Sequence, residues 1–298
     1  AGRKRKSLIT NIAVVAALIL FPMLISFAKY RSFSEKPVGQ VNVLMLQPDL
    51  DPYNEKYTKD SLTILNDLLT LADKNSSGKI DFYIAPETAL PGYGSFSETG
   101  IEKSGMMDSV KTFLAKHPRS VFETGISSHR FFTPSDSIPA NAYQTRQGIY
   151  VASYNTAAQI LPEHHISLYH KGKLVPGVEI FPYMTVLKPL LGDAMLNLGG
   201  TVASLGTDKI RKVFSNPYNK GKMAPIICYE SIYGEYVGEY VKNGANFLGI
   251  MTNDSWWGVT QGHKQLLSYA RLRAIETRRE IARAANSGIS AHINALGG

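Results

Sequence analysis

Apolar and polar positions along this chain follow two periods, one typical of buried strands and one of amphipathic helices. Short apolar runs that end at a proline or a polar loop predict strands at residues 41–47, 80–85, 120–126, 225–228, 246–251 and 289–293, and two or three more within 141–160. Helical spacing predicts helices at residues 57–72, 104–116, 232–243 and 261–285. Strands and helices alternate at the spacing of βαβ units, which predicts a layered α/β domain.

The N-terminal segment departs from this pattern. Four consecutive basic residues at 3–6 precede a run of 21 residues, 8–28, that contains no charged side chain. As a helix this run is about 30 Å long, enough to cross the hydrocarbon core of a membrane. The basic flank favours a cytoplasmic N-terminus and places the remainder of the chain outside. A signal peptide is the alternative, because Ser26-Phe27-Ala28 resembles a cleavage site, although the run exceeds the usual core of about 7–15 residues.

We therefore divide the chain into residues 1–40, holding the basic flank, a transmembrane helix and a connector, and residues 41–298, holding the layered α/β domain. The first residue is Ala rather than Met, so we expect an excised piece of a longer protein, with further spans upstream. Within the domain, residues 181–205 are apolar but lack a strand or helix period. They predict either a packed connection or an apolar arm over the bilayer surface.

The net charge of +8 is concentrated at the N-terminus. Residues 1–36 contain seven Lys or Arg against one acid, Glu35, which leaves only +2 for the rest of the chain. This distribution does not favour a nucleic-acid-binding groove.

Three reactive side chains stand where a predicted strand meets a loop. Glu87 lies between two prolines after an apolar strand, and a desolvated carboxylate there suits a general base, although most loop glutamates are simply solvated. Lys171 can offer positive charge to an oxyanion, but Lys173 competes for that role and either can be a surface residue. Cys228 ends an apolar strand just before a helix, a position that displays nucleophiles and favours the thiolate.

Cys228 is the only cysteine, so the chain forms no internal disulfide. A lone cysteine is more often a small buried apolar residue than a nucleophile. The seven histidines show no metal-ligand spacing, which predicts no metal site, and no cofactor motif is present.

The three junctions occur in a recognisable order. The motifs PETALP (86–91), YHKGKLVP (169–176) and ICYE (227–230) resemble the Glu–Lys–Cys triad motifs of the nitrilase superfamily. TNDSWWG (252–258) resembles the family's following loop, and residues 269–288 its next helix and strand. Within the superfamily, PETALP, KLVPGVE and the upstream apolar helix are most similar to the apolipoprotein N-acyltransferases.

The resemblance implies a nitrilase-type α-β-β-α sandwich preceded by a transmembrane helix. It implies Cys228 as nucleophile, Glu87 as general base and Lys171 as oxyanion stabiliser, with Glu179, Tyr229 and Glu230 supporting the site or binding substrate. Familiar members have HLVPFGE where this chain has KLVPGVE, so the details of that loop differ. The chain also ends before the family's last strands and final membrane helix are expected.

The implied reaction is ping-pong acyl transfer at the bacterial inner membrane, with the catalytic domain on the periplasmic side. Cys228 takes a fatty acyl chain from a phospholipid and passes it to the N-terminal amine of a diacylated lipoprotein. The partners are therefore the bilayer, the phospholipid donor and the lipoprotein acceptor, and no nucleic acid. A membrane-anchored amidase or nitrilase with the same triad is the rival enzyme, and a catalytically silent binding module is the rival of another class.

Two further groups have two interpretations each. Trp256 and Trp257, in the loop near the nucleophile, either line the substrate pocket or belong to the core. Five arginines between residues 271 and 283 alternate with Glu276 and Glu280, which favours a salt-bridged helix face over a phosphate site.

Overall fold

The computed structural model describes residues 2–34, 37, 39–51, 55, 58–90, 94–133, 135–139, 141–163, 165–180, 204–258 and 260–298. Nearly all of the apolar segment 181–205 lies outside these residues, so its contact with a bilayer stays a prediction. The chain divides into two units, Ala1–Pro37 and Val38–Gly298.

The first unit consists mainly of helix α1, Gly2–Ser32. Its segment Lys6–Ser32 has a mean hydropathy of 2.5 over an 18-residue window, with none of that window buried. A continuous apolar surface of this kind needs lipid or protein to cover it. Its length and composition are sufficient to cross a membrane, which confirms the predicted apolar helix.

The second unit is built on two sheets. The first contains β1 Val43–Met45, β2 Phe82–Ile84, β3 Phe96–Ser97, β4 Val121–Phe132, β5 Tyr143–Gln144, β6 Tyr150–Ile160 and β7 Ile166–His170, in the order β1-β2-β4-β6-β5 with β3 beside β4 and β7 beside β6. The second contains β8 Phe214–Ser215, β9 Lys222–Ile227, β10 Phe247–Thr252, β11 Ile281–Ala285 and β12 Ala291–Ile293, in the order β12-β11-β10-β9-β8. Strands β1, β2 and β4 are parallel, as are β9, β10 and β11.

Among the described residues, four α-helices cover the sheets: α2 Ser61–Asn75, α3 Gly105–Lys116, α4 Gly234–Lys242 and α5 Gly262–Thr277. Helix α2 begins where Asp60 accepts a hydrogen bond from Thr63 N, and it turns its apolar face, with Leu65 and Leu68, toward the first sheet.

The apolar core explains the order of the layers. Ile84 and Ala157 of the first sheet share one buried cluster with Ile226 and Ile250 of the second, and residues of α4 and α5 extend it. A second cluster packs α2 and α3 on the outer face of the first sheet. The result is the predicted α-β-β-α sandwich, in which burial on both faces accounts for the unbroken apolar strands.

The predicted helix over residues 261–285 is wrong beyond residue 277. Helix α5 ends at Thr277, Arg278 adopts a left-handed conformation with φ 52°, and β11 begins at Ile281. Strand β11 is buried throughout, which places Arg283 in the core rather than on a basic helix face. Only Arg273 of the five arginines forms a salt bridge with Glu276 among the described residues.

Candidate active site

Glu87 reaches the site through a close approach between two backbone segments. It follows β2, and the next residue, Thr88, has a left-handed φ of 47°. A side chain at Gly125 in β4 would place its Cβ 2.4 Å from Thr88 N and 2.6 Å from Glu87 Cα. Only glycine allows this contact, so Gly125 fixes where the buried Glu87 stands.

Lys171 enters from β7 of the same sheet. Its backbone N donates to Asn155 O at 2.8 Å, which continues the pairing of β6 and β7 beyond the strand end. The side chain is 1% exposed, and its Nζ lies 3.0 Å from Glu87 Oε1 and 2.9 Å from Glu179 Oε2. Burial disfavours the ammonium, but the negative charges of Glu87 and Glu179, together with the electrostatic interaction with Cys228, outweigh it and raise the pKa of Lys171. Lys171 is therefore a fixed cation.

Asn155, on β6, joins the two glutamates. Its Nδ2 donates to Glu87 Oε1 and to Glu179 Oε1, each at 2.8 Å. Glu179 also accepts a hydrogen bond from Val175 N at 2.8 Å. The loop after Lys171 is therefore held by a contact between its own backbone and its own carboxylate. One cation thus faces two carboxylates, and the amide supplies the additional donors that the excess negative charge requires.

Cys228 comes from the other sheet, at the end of β9. It has a left-handed φ of 46°, and its carbonyl accepts from Ser231 Oγ at 2.7 Å. A non-glycine residue in this conformation is strained, as expected where a nucleophile is displayed at a sharp turn.

The pKa of the Cys228 thiol is raised to about 12, first by burial and then by the negative charge of Glu87. Lys171 and a hydrogen bond with Thr252 act in the opposite direction. The expectation of a thiolate favoured by a helix N-terminus is wrong, because the segment that follows is a short 3-10 turn, Cys228–Ile232, and desolvation dominates. A thiol of this kind needs a base to become a nucleophile.

Glu230 connects the two reactive loops. Its side chain is fully buried and accepts from Ile227 N at 2.8 Å, from Gly172 N at 2.7 Å and from the hydroxyl groups of Tyr169 and Tyr236. It therefore ties the turn that carries Cys228 to the loop that carries Lys171. Tyr229 is half-buried and packs edge-on against the ring of Tyr233.

A buried ion pair supports the second sheet at the loop after β10. Asp254 and Arg283 form two hydrogen bonds of 2.9 Å, and Thr252 Oγ1 donates to Asp254 at 3.2 Å. Gly288 leaves room for this carboxylate, since an added Cβ would lie 2.6 Å from it. The TND motif thus holds Thr252 beside Cys228.

The remaining predictions from the sequence concern the two tryptophans and metal binding. Trp257 is 39% exposed and packs against Gly262, so the core interpretation is wrong for this residue. The side chain of Trp256 lies outside the described residues. In the described part of the chain, no group of three or more His, Cys, Asp or Glu has the arrangement of a metal site.

Sequence reasoning missed Asn155, Gly125 and Arg283. Asn155 stands inside a strand that is otherwise unremarkable in sequence, and Gly125 reads as an ordinary strand glycine. A glycine inside a strand is a known signal for close backbone approach, so Gly125 could have been found.

Chemically, the assembled groups provide a thiol, a carboxylate able to take its proton and a buried cation for a developing oxyanion. This set is suited to attack on an ester, amide or nitrile carbon through a covalent acyl-enzyme.

Comparisons with known proteins agree with this geometry. The sequence profile of the carbon-nitrogen hydrolase family matches residues 45–298. The apolipoprotein N-acyltransferase of Chlorobaculum tepidum is 30% identical over 291 residues, covering 94% of this chain and 52% of that protein. The apolipoprotein N-acyltransferase of Haemophilus influenzae is 27% identical over 293 residues, covering 95% of this chain and 49% of that protein. The chain therefore spans about half the length of these relatives.

Comparison with solved structures also agrees with the nitrilase-type fold. The crystal structure of Saccharomyces cerevisiae Nit3, a member of branch 10 of the nitrilase superfamily, superimposes with a TM-score of 0.57 at 13% identity, covering 89% of this chain and 86% of that one. At this identity the likeness concerns the fold alone. Together with the sequence profile, it establishes that the chain belongs to the carbon-nitrogen hydrolase family and has the nitrilase fold.

Proposed function

We propose that this chain is the catalytic part of an apolipoprotein N-acyltransferase, which moves a fatty acyl chain from a phospholipid to the N-terminal amine of a diacylglyceryl-cysteine lipoprotein. The observation that carries the proposal is the buried cluster of Lys171 with Glu87 and Glu179, electrostatically coupled to Cys228. The names of the relatives supply the substrate class.

In the first half-reaction, Glu87 takes the thiol proton as Cys228 Sγ attacks the ester carbonyl of the phospholipid. The oxygen that becomes negative is stabilised by Lys171, which keeps its proton throughout because its pKa is raised. When the tetrahedral intermediate collapses, the carbon–oxygen bond breaks and the departing alkoxide takes the proton from Glu87. A lysophospholipid leaves, and the acyl chain remains on Cys228 as a thioester.

In the second half-reaction, the amine of the lipoprotein attacks the thioester carbon. Glu87 accepts the amine proton and returns it to the departing thiolate, which restores the thiol. The raised pKa of Cys228 favours this return, because a thiol of high pKa holds its proton in the resting enzyme. Asn155 and Glu179 keep Glu87 and Lys171 in one arrangement through both halves.

The proposed location is the bacterial inner membrane, with the catalytic domain on the periplasmic side. Helix α1 supports membrane attachment by its length and apolar composition. The four basic residues before the apolar run favour the cytoplasm for its N-terminal end.

The rival is a membrane-anchored amidase or nitrilase that uses the same triad with water as acceptor, which the family assignment itself favours. The natural full-length protein, supplied with phospholipid and a diacylated lipopeptide that has a free amine, should yield lysophospholipid and triacylated lipopeptide in equal amounts. Release of free fatty acid instead, or turnover of small amides alone, would support the hydrolase and overturn the transferase.

A further inference from the structure

A second cation stands close to the candidate site, and it has no carboxylate partner in the part of the chain that the structure describes. Lys173 Nζ lies 5.1 Å from the ring centre of Tyr233 and 5.5 Å from that of Tyr236. Within the described residues it forms no salt bridge, whereas its neighbours Lys171, Arg211 and Lys212 each face at least one carboxylate. Among the described residues, the Lys173 ammonium therefore contacts aromatic ring faces rather than a carboxylate.

Lys173 is connected to both sides of the site. It follows Lys171 by two residues, and the ring of Tyr233 packs edge-on against Tyr229, the residue after Cys228. Lys173, Tyr229 and Tyr233 are all half-buried, so this group is accessible from solvent while it remains next to the reacting groups.

The spacing suits a glycerophospholipid. Six bonds separate the ester carbonyl carbon from the phosphorus in the sn-1 chain, a reach of about 7 Å at bond lengths near 1.5 Å, and the Cα atoms of Lys171 and Lys173, two residues apart, can be separated by no more than about the same distance. A donor whose carbonyl lies at Lys171 and Cys228 can thus bring its phosphate to the region of Lys173.

The chemistry of the side chain fits the same ligand. An ammonium that rests on ring faces has not given its N–H donors to a carboxylate, and they remain free for phosphate oxygens, which are strong acceptors. We propose that Lys173, held by Tyr233 and Tyr236, binds the phosphate of the acyl donor while Lys171 serves the reacting carbonyl. This inference rests on the proposed acyl-transfer function.

The test compares two acyl donors that differ only in the phosphate. Purified full-length protein in neutral mixed micelles receives either a phospholipid or the diacylglycerol with the same acyl chains, at saturating lipopeptide acceptor. Lys173→Gln should raise the KM for the phospholipid about tenfold with kcat within twofold, and leave turnover of the diacylglycerol unchanged. Lys173→Arg should restore the wild-type KM, and added salt should reduce the difference between wild type and Lys173→Gln.

A matched control is Lys209→Gln, because Lys209 is an exposed lysine nearby that forms no described salt bridge. Glycerol 3-phosphate should compete with the phospholipid in the wild type but not in Lys173→Gln, which separates a phosphate contact from a general effect on the lipid surface. Equal loss with both donors, or no loss with either, would overturn the inference while the acyltransferase stands. If the wild type uses neither donor, the proposed function fails and this inference fails with it.

Discussion

The two halves of the candidate site come from different sheets and are stabilised differently. On the first sheet, Glu87, Lys171, Glu179 and Asn155 are joined by direct hydrogen bonds of 2.8–3.0 Å, so that the charge of the Lys171 ammonium is compensated before any substrate arrives. On the second sheet, Cys228 is positioned by its strained turn and remains a neutral thiol. The proposed base and the cation are thus preorganised, whereas the proposed nucleophile depends on its neighbour across the sandwich for its reactivity.

Replacing Glu87 tests this division most strongly. In Glu87→Gln, acyl transfer should fall roughly 10²- to 10⁴-fold, because the general base is lost. The negative charge that raises the pKa of Cys228 is lost as well, while Lys171 remains, so alkylation of the thiol by iodoacetamide at pH 8.5 should become faster.

Glu235→Gln, at an exposed position of helix α4, is the matched control and should change neither rate. If turnover and alkylation both fall in Glu87→Gln, Glu87 maintains the structure of the site rather than acting as its base.

The position of Glu87 can be disturbed without touching its charge. Gly125→Ala introduces a Cβ into the backbone of Glu87 and Thr88, and we expect acyl transfer to fall about 10- to 100-fold. Cys228 lies on the other sheet, so its alkylation rate should change little. Gly238→Ala places a Cβ in open space on α4 and should retain full activity. Full activity in Gly125→Ala as well would show that the close approach is not needed.

Asn155→Asp changes the charge balance in the half of the candidate site on the first sheet, with little change in the shape of the side chain. The two short contacts from Nδ2 become repulsions between carboxylates, which favours the protonated forms. The acid limb of the kcat/KM profile should move to higher pH, with a loss of about tenfold or more near neutral pH.

Asn294→Asp is the control for this substitution, since Asn294 Oδ1 only accepts hydrogen bonds, from Leu296 N and Gly298 N. A uniform loss of rate in Asn155→Asp, with an unmoved pH profile, would reduce Asn155 to a structural residue.

Replacing Glu123 should have the smallest effect on activity. The environment of its carboxyl group contrasts most clearly with that of Glu87. It is a buried carboxyl group in β4 whose described partner is Gln159 rather than a cation, and burial raises its pKa to about 8. Its folded-state pKa lies above the ordinary value of 4.5, so its stabilising contribution is complete below pH 4.5 and is lost as pH rises through about 8.

Glu123→Gln should therefore gain stability over the wild type as pH rises, by about 1.4 kcal/mol for each pH unit in that window. Thermal melting at pH 5 and pH 8.5 measures this difference, and acyl transfer should be unchanged. A melting difference that does not depend on pH would mean that Glu123 has an ordinary pKa.

Much of this arrangement could be predicted from the sequence because it lies at strand ends. Pro86 after β2 and the apolar run before Cys228 mark where strands stop, and candidate catalytic side chains stand at those points. The residue pattern alone does not distinguish Lys171 from Lys173, since both are lysines in one loop. The family resemblance indicates Lys171, and in the structure burial separates the two.

Other errors have physical causes too. Strand β11 is only five residues long, and its buried Arg283 interrupts the apolar pattern, so the helix before it was extended too far. Asn155 was missed because its role depends on Glu87 and Glu179, which are 68 and 24 residues away in sequence. Such long-range pairing leaves no local signal.

The acyl-enzyme tests the central claim most directly. The natural full-length protein, incubated with phospholipid and no lipopeptide, should accumulate an adduct of one fatty acyl mass that hydroxylamine removes, as intact mass spectrometry detects. A diacylated lipopeptide should discharge it, and Cys228→Ala, which should remain folded, should form none. An adduct that persists in Cys228→Ala, or no wild-type adduct while small amides are hydrolysed, would contradict Cys228 as the acyl carrier of a transferase.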